Sequence, residues 1–201
     1  MTGYPFTPYQ YRYLLASNSE RRRELLSLLG LRFEVVSADA GAETYPDALA
    51  CSEVPQYLAR RKSLAYHSPV PENHVLITAD TVVCIDGAVL GKPASRAEAL
   101  DMLGRLSGRT HEVFTGVCLR DARHSDVFCD ATRVSFRPLD AGEAAFYVDT
   151  FRPYDKAGAY GIQEWIGYTA VSRIEGSFYN VMGLPVEMLY GRLKKFFDDE
   201  Q

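Results

Sequence analysis

Short apolar runs alternate with amphipathic stretches along nearly the whole chain, and that alternation predicts its elements. Residues 11–16 read as a short strand. Ser19 can cap a helix over 20–29 that Gly30 stops. A second strand is expected at 32–37, then a polar loop over 38–47 and a helix from about 52 to 67. Residues 75–85 form a long apolar strand interrupted by Asp80 and Thr81, and Asp86-Gly87 signals a hairpin turn. Ser95 with Glu98 makes a capping box for a helix ending at Leu106. Two strand-like runs, 111–119 and 127–136, flank a polar turn, and Asp140 with Glu143 caps a helix to about 149. After a glycine-rich loop, a strand is expected at 167–174. Pro185 suits the first turn of a closing helix to 197. Helices and strands interleave, yet the 111–136 pair is a hairpin, so the expected fold is α/β with a mixed sheet. Residues 1–10 read as an N-terminal extension and 11–201 as a single domain, with no repeat or linker between.

Composition narrows the function classes. Of 201 residues, 47% are hydrophobic and 24% charged, a balance that excludes a disordered chain. A net charge of −4 argues against general binding to nucleic acid or to a membrane surface. Cations still cluster locally, at Arg21 to Arg23 and at Arg60 to Lys62, which fits a small anionic ligand better than a polyanion. The four cysteines make no Cys-x-x-Cys pair and the four histidines are scattered, so no His/Cys metal site is readable. The start of the chain lacks a basic-then-apolar signal pattern and no apolar run reaches membrane length, which makes a cytoplasmic location the expectation.

Four groups of residues carry candidate chemistry. The first is the strand-to-helix turn at Ser17-Asn18-Ser19-Glu20-Arg21-Arg22. A helix N-terminus offers free N–H groups and partial positive charge to an anion. Arg21 and Arg22 add guanidinium forks that match phosphate oxygens, while Arg23 reads as solvent-facing. The second is Asp80-Thr81 inside an apolar strand, where a carboxylate is costly unless it is paired, hydrogen-bonded or bound to a metal. Such an Asp can be structural, or can ligate Mg2+ and orient or deprotonate a water. The third is a pair of lysines. Lys62 lies at the margin of a helix's apolar stripe, and Lys92 sits in the rigid turn Leu90-Gly91-Lys92-Pro93. The loop Asp155-Lys-Ala-Gly-Ala-Tyr-Gly-Ile-Gln joins two glycines to an acceptor, a cation and the two-way amide of Gln163, a combination suited to a polar heterocycle.

Together these segments resemble the Maf family of nucleoside triphosphate pyrophosphatases. The matching pieces are Leu15-Ala-Ser-Asn-Ser-Glu-Arg-Arg, Leu58-Ala-Arg-Arg-Lys-Ser, Ala79-Asp-Thr, Gly91-Lys-Pro, Leu106-Ser-Gly-Arg-Thr-His, the loop from Asp155 to Gln163 and Val181-Met-Gly-Leu-Pro. The resemblance implies a mixed, mostly antiparallel, extended sheet flanked by helices, in two lobes with a cleft, like the inosine triphosphate pyrophosphatases. It implies hydrolysis of a nucleoside triphosphate to monophosphate and pyrophosphate, supported by Mg2+ or Mn2+. Asp80 then corresponds to the proton acceptor. Arg21, Thr81 and Gln163 correspond to the specificity positions, in the form of the dTTP/UTP branch. Ser17, Arg22, Glu43, Lys62 and Lys92 correspond to the phosphate and metal region, with Asp80 and Glu43 as the metal carboxylates. Glu20 stands where the family usually has Pro, and Glu164-Trp165 replaces the glycine that commonly follows the Gln. The other readings are a relaxed pyrophosphatase for inosine or modified nucleotides and a non-catalytic, nucleotide-binding regulator of cell division. The expected assembly beyond a monomer is a homodimer.

Overall fold

A computed structural model describes residues 7–38, 41 and 43–198. Its strands are β1 (Arg12–Ala16), β2 (Phe33–Val36), β3 (His74–Ile85), β4 (Ala88–Leu90), β5 (Thr110–Arg120), β6 (Ser125–Phe136) and β7 (Val171–Glu175). Its α-helices are α1 (Glu20–Leu28), α2 (Val54–Leu64), α3 (Arg96–Leu106), α4 (Ala141–Phe151), α5 (Trp165–Thr169), α6 (Phe178–Met182) and α7 (Val186–Asp198). The strands form one mixed sheet in the order β2-β1-β3-β5-β6-β7, with β4 paired to β3. β1 runs parallel to both β2 and β3, whereas β4 is antiparallel to β3 and β7 to β6. The apolar run of β3 follows from its place inside the sheet, where both faces are covered and Val75 to Asp80 are all buried.

The chain divides into two compact units, and the division falls between Asp80 and Thr81. The first unit comprises 1–80, 115–130 and 183–201. Leu14, Ala16, Val70 and Leu76 make one of its cores. Thr78 Oγ1 donates to Ala59 O at 2.7 Å, tying β3 to α2. Gly116 on β5 has no room for a β-carbon, because the backbone of Pro55 and Gln56 at the start of α2 occupies that space. The end of α2 is held by Arg120, whose guanidinium donates to Ser63 Oγ (3.0 Å), Ser63 O (2.8 Å) and Tyr66 O (3.0 Å). Of the expected N-terminal extension, residues 1–6 lie outside the described residues. Residues Thr7–Gln10 form a single 3-10 turn, pinned by Tyr13 Oη donating to Pro8 O (2.7 Å) and Tyr9 Oη to Leu29 O (3.0 Å).

The second unit comprises 81–114 and 131–182. Val83, Leu103, Val134, Tyr147, Ile162 and Ile166 belong to its core. Asp140 and Glu143 form the expected capping box on α4. At α3 the box is only half made: Ser95 accepts from Glu98 N, but the Glu98 carboxylate turns to Ala94 N at 2.7 Å. The strand expected at 167–174 begins only at Val171, because 165–169 is helical. Gly167 lies directly on the Ile162 carbonyl, and Gly167 N and Ala170 N donate to Glu164 O and Ile166 O, closing helical turns where the β-branched pattern alone suggested a strand. Alternation also missed β4 and α6, which are too short to show a period.

His111 is fully buried in this unit. Its Nε2 is 2.7 Å from Tyr160 Oη, its Nδ1 has no hydrogen-bond partner, and its ring meets Phe136 edge-on. Burial lowers its pKa to about 4. The unfolded chain therefore binds one more proton than the folded one between about pH 6.5 and 4. Stability should fall as pH drops through that window, by on the order of 3 kcal/mol from this group, and level off below it. Urea titrations at pH 7, 5.5 and 4.5 on the native chain and on His111→Phe check this: the variant should show a shallower acid loss, and equal slopes would contradict the assignment.

Candidate functional site

The turn after β1 builds a cation-rich helix start. Ser17 Oγ accepts from Ser19 N at 3.2 Å and Ser19 Oγ from Arg22 N at 3.4 Å, so both serines shape the backbone. Arg22 is half-buried, and its Nε donates to Gly183 O at 2.9 Å, ahead of α7. Desolvation lowers its pKa, Asp80 and Glu43 oppose that shift, and Arg21 adds to it, so the three other charges all act on Arg22. The expectation for Arg23 needs correction: Nη2 donates to Asn18 O at 3.2 Å and Nε is buried, so the side chain folds back on the turn.

Asp80 sits in β3 with only 7% of its side chain exposed. Its oxygen Oδ1 accepts directly from Lys62 Nζ, and the same ammonium donates to Glu43 Oε1 at 2.9 Å. The parallel β1–β3 pairing and the close seat of α2 bring this about. Thr78 fixes β3 against α2 two residues before Asp80, and Arg120 holds the turn that carries Lys62. Lys62 therefore points at the carboxylate rather than snorkelling to solvent. The polar loop supplies Glu43, whose side chain remains 40% exposed. Among the described residues no group of three or more His, Cys, Asp or Glu side chains converges as a metal site.

The remaining three expected residues belong to the second unit. Thr81 is half-buried at the middle of β3, and Lys92 is exposed in the turn after β4. The glycine-rich loop is fastened beside that turn by Gly158 N donating to Gly91 O at 3.0 Å. Gly158 has φ 66°, and a β-carbon there would lie 2.9 Å from Val83 Cγ2, so both its handedness and its packing require glycine. Gln163 follows at the end of the loop, half-buried, with Oε1 buried and unpaired.

Direct bonds thus join Asp80, Lys62 and Glu43, and electrostatics adds Arg21 and Arg22. Ser17 serves the turn, and Thr81, Lys92 and Gln163 belong to the second unit. Sequence reasoning missed the buried ion pair of Lys156 with Glu164, at 3.0 Å. Its one visible sign was Glu164 standing where a glycine was expected.

A carboxylate held by lysine within a mixed α/β sheet, with Arg22 in its electrostatic reach, is the charged cluster of the first unit. The chain belongs to the Maf-like protein family, whose pattern matches residues 12–196. The dTTP/UTP pyrophosphatase of Bacteroides thetaiotaomicron is 52% identical to it over 186 residues, covering 92% of this chain and 96% of its own length. The dTTP/UTP pyrophosphatase of Porphyromonas gingivalis is 53% identical over 189 residues, covering 93% and 95%. A solved HAM1 protein from Coxiella burnetii aligns with 92% of this chain and 99% of its own at 16% identity and a TM-score of 0.47, too slight a likeness to bear weight.

The two partners of Lys62 differ in burial, and their removal should differ in cost. Lys62→Met leaves the Asp80 carboxylate buried without its cation and should destabilise the fold by about 3 kcal/mol. Glu43→Gln loses a half-solvated contact and should cost less than about 1 kcal/mol. Chemical denaturation of both variants at pH 7.5 measures the difference, and similar losses would contradict the described geometry.

Proposed function

We propose that this chain hydrolyses nucleoside triphosphates, dTTP and UTP foremost, to the nucleoside monophosphate and pyrophosphate. Membership of the Maf-like family and about half identity to two dTTP/UTP pyrophosphatases over nearly their full lengths support the reading. The observation that carries it is the Asp80 carboxylate, buried in an apolar strand yet held charged-side to Lys62. A base in that setting is fixed in place and faces cations rather than bulk water.

The roles follow from the groups. Arg21, Arg22 and Lys92 are permanent or near-permanent cations suited to triphosphate oxygens, Arg in a bidentate fork and Lys as a point charge. Ser17 keeps the turn that presents the first two. Asp80 takes the proton of the attacking water, and Lys62 orients its carboxylate while offering charge to the phosphoryl oxygens. Asp80 and Glu43 are hard oxygen donors already sharing one cation, and they would hold Mg2+ or Mn2+. When bound, such an ion would neutralise negative charge on the phosphate oxygens. Gln163 has an unpaired buried acceptor for the ring N3–H of uracil or thymine, and its amide N–H can donate to a ring carbonyl. Thr81 offers a hydroxyl of either sense. A cytoplasmic setting suits such a substrate, and among the described residues no helix is long and apolar enough to cross a membrane.

Asp80→Asn preserves shape and removes charge and basicity, and should cut pyrophosphate release from UTP by roughly 10²-fold or more. Turnover close to the native rate would take Asp80 out of the mechanism. Gln163→Glu can accept but no longer donate. Its specificity constants for dTTP and UTP should fall steeply, within a ceiling of about 10⁴-fold, while that for GTP, which can donate to a carboxylate, falls less or rises. An equal fall for all three nucleotides would show that Gln163 does not read the base.

A further inference from the structure

Glu164 is the residue after Gln163, and it is deeply engaged. Its Oε2 accepts from Tyr147 Oη and its Oε1 from Lys156 Nζ at 3.0 Å. Tyr147 Oη in turn accepts from Gly161 N at 2.9 Å, so the carboxylate, the phenol and the loop backbone form one chain of hydrogen bonds. Tyr147 is completely buried on α4, and Lys156 has 10% of its side chain exposed. Lys156 has a second carboxylate, Asp155 at 2.7 Å, but that one is mostly exposed. The buried end of the ammonium is therefore held by Glu164.

These groups close over one carbon atom. A β-carbon on Gly161 would lie 2.9 Å from Glu164 Cδ, 3.0 Å from Lys156 Cε and 3.1 Å from Gln163 Nε2. The amide of Gln163 and the Glu164–Lys156 pair thus all border the space above Gly161. Nothing else described holds Gln163 Oε1, which makes no hydrogen bond. An amide without a polar partner of its own takes its orientation from what it packs against. A simple ion pair would stabilise the loop anywhere along it, but this one borders the Gly161 turn beside the Gln163 amide, and the Tyr147 hydroxyl bonded to it accepts from Gly161 N.

We propose that Glu164 is a positioning residue for base selection: through Lys156 and Tyr147 it clamps the Gly161 turn and sets the amide of Gln163. The proposal rests on the reading of Gln163 as the base-contacting residue. In it Glu164 touches no substrate, and its replacement changes discrimination between bases more than phosphate cleavage.

The test is a double-mutant cycle on the full chain, with initial rates of pyrophosphate release from UTP and GTP below the melting temperature of every variant. Glu164→Gln keeps the shape and removes the charge that holds Lys156. It should lower the ratio of the UTP to the GTP specificity constant by about 10-fold, the scale of one misplaced contact. In the Gln163→Ala background the same change should leave that ratio within about 2-fold, because coupled groups are not additive. Tyr147→Phe, which removes only the hydroxyl, should move the ratio the same way and serves as the readout if Glu164→Gln does not fold. Equal falls for UTP and GTP, or additive effects in the cycle, would reduce Glu164 to a stabilising ion pair and overturn the proposal. A native chain with no preference for UTP over GTP would instead sink the reading of Gln163 on which it rests.

Discussion

A carboxylate in the middle of an apolar strand is the constraint on which the first unit is built. Asp80 is buried in β3, and a buried carboxylate with no counter-charge is strongly unfavourable. The cation comes from α2, so that helix must reach one particular place. Gly116 lets the helix start lie against β5, Thr78 ties β3 to the helix backbone, and Arg120 closes its last turn with three hydrogen bonds. Each contact taken alone looks like ordinary packing. Together they deliver one ammonium to one carboxylate, and the cost of missing that meeting explains why so many polar bonds converge on a single helix.

Around that pair the charges are arranged with little regard for stability. Arg21 and Arg22 crowd the positive end of α1, where the helix dipole disfavours cations, and burial of Arg22 adds a desolvation cost. Asp80 and Glu43 offset part of it. Under the proposed function, a triphosphate would add negative charge beside these guanidinium groups. The second unit shows the same trade in a different form. Its glycine-rich loop holds Lys156 on Glu164 and ends at Gln163, whose amide oxygen is buried and unpaired.

Much of this was legible in the amino-acid order. Caps and periodicity placed α1, α4 and the long strands to within a residue or two, because those elements obey local rules. The turn at Gly158 and the Asp80 anomaly were visible as residues at odds with their surroundings. The helix at 165–169 was not visible: it depends on Gly167 meeting the Ile162 carbonyl, a contact that no window of β-branched residues reveals. Nor did the order of residues show that Lys62 bridges two carboxylates, since Glu43 in the loop and Asp80 in β3 meet at its ammonium through tertiary packing. Tyr147 was hidden for the same reason, being an unremarked core aromatic until the fold sets its hydroxyl beneath Gly161.

The most direct check on this picture is phosphorus NMR of UTP incubated with the native chain and Mg2+. Attack directed by Asp80, with the β- and γ-phosphates leaving together, should give the resonances of uridine monophosphate and pyrophosphate in equal amounts, with no inorganic phosphate in the initial phase. Uridine diphosphate with inorganic phosphate, or UTP left intact at micromolar protein, would contradict it.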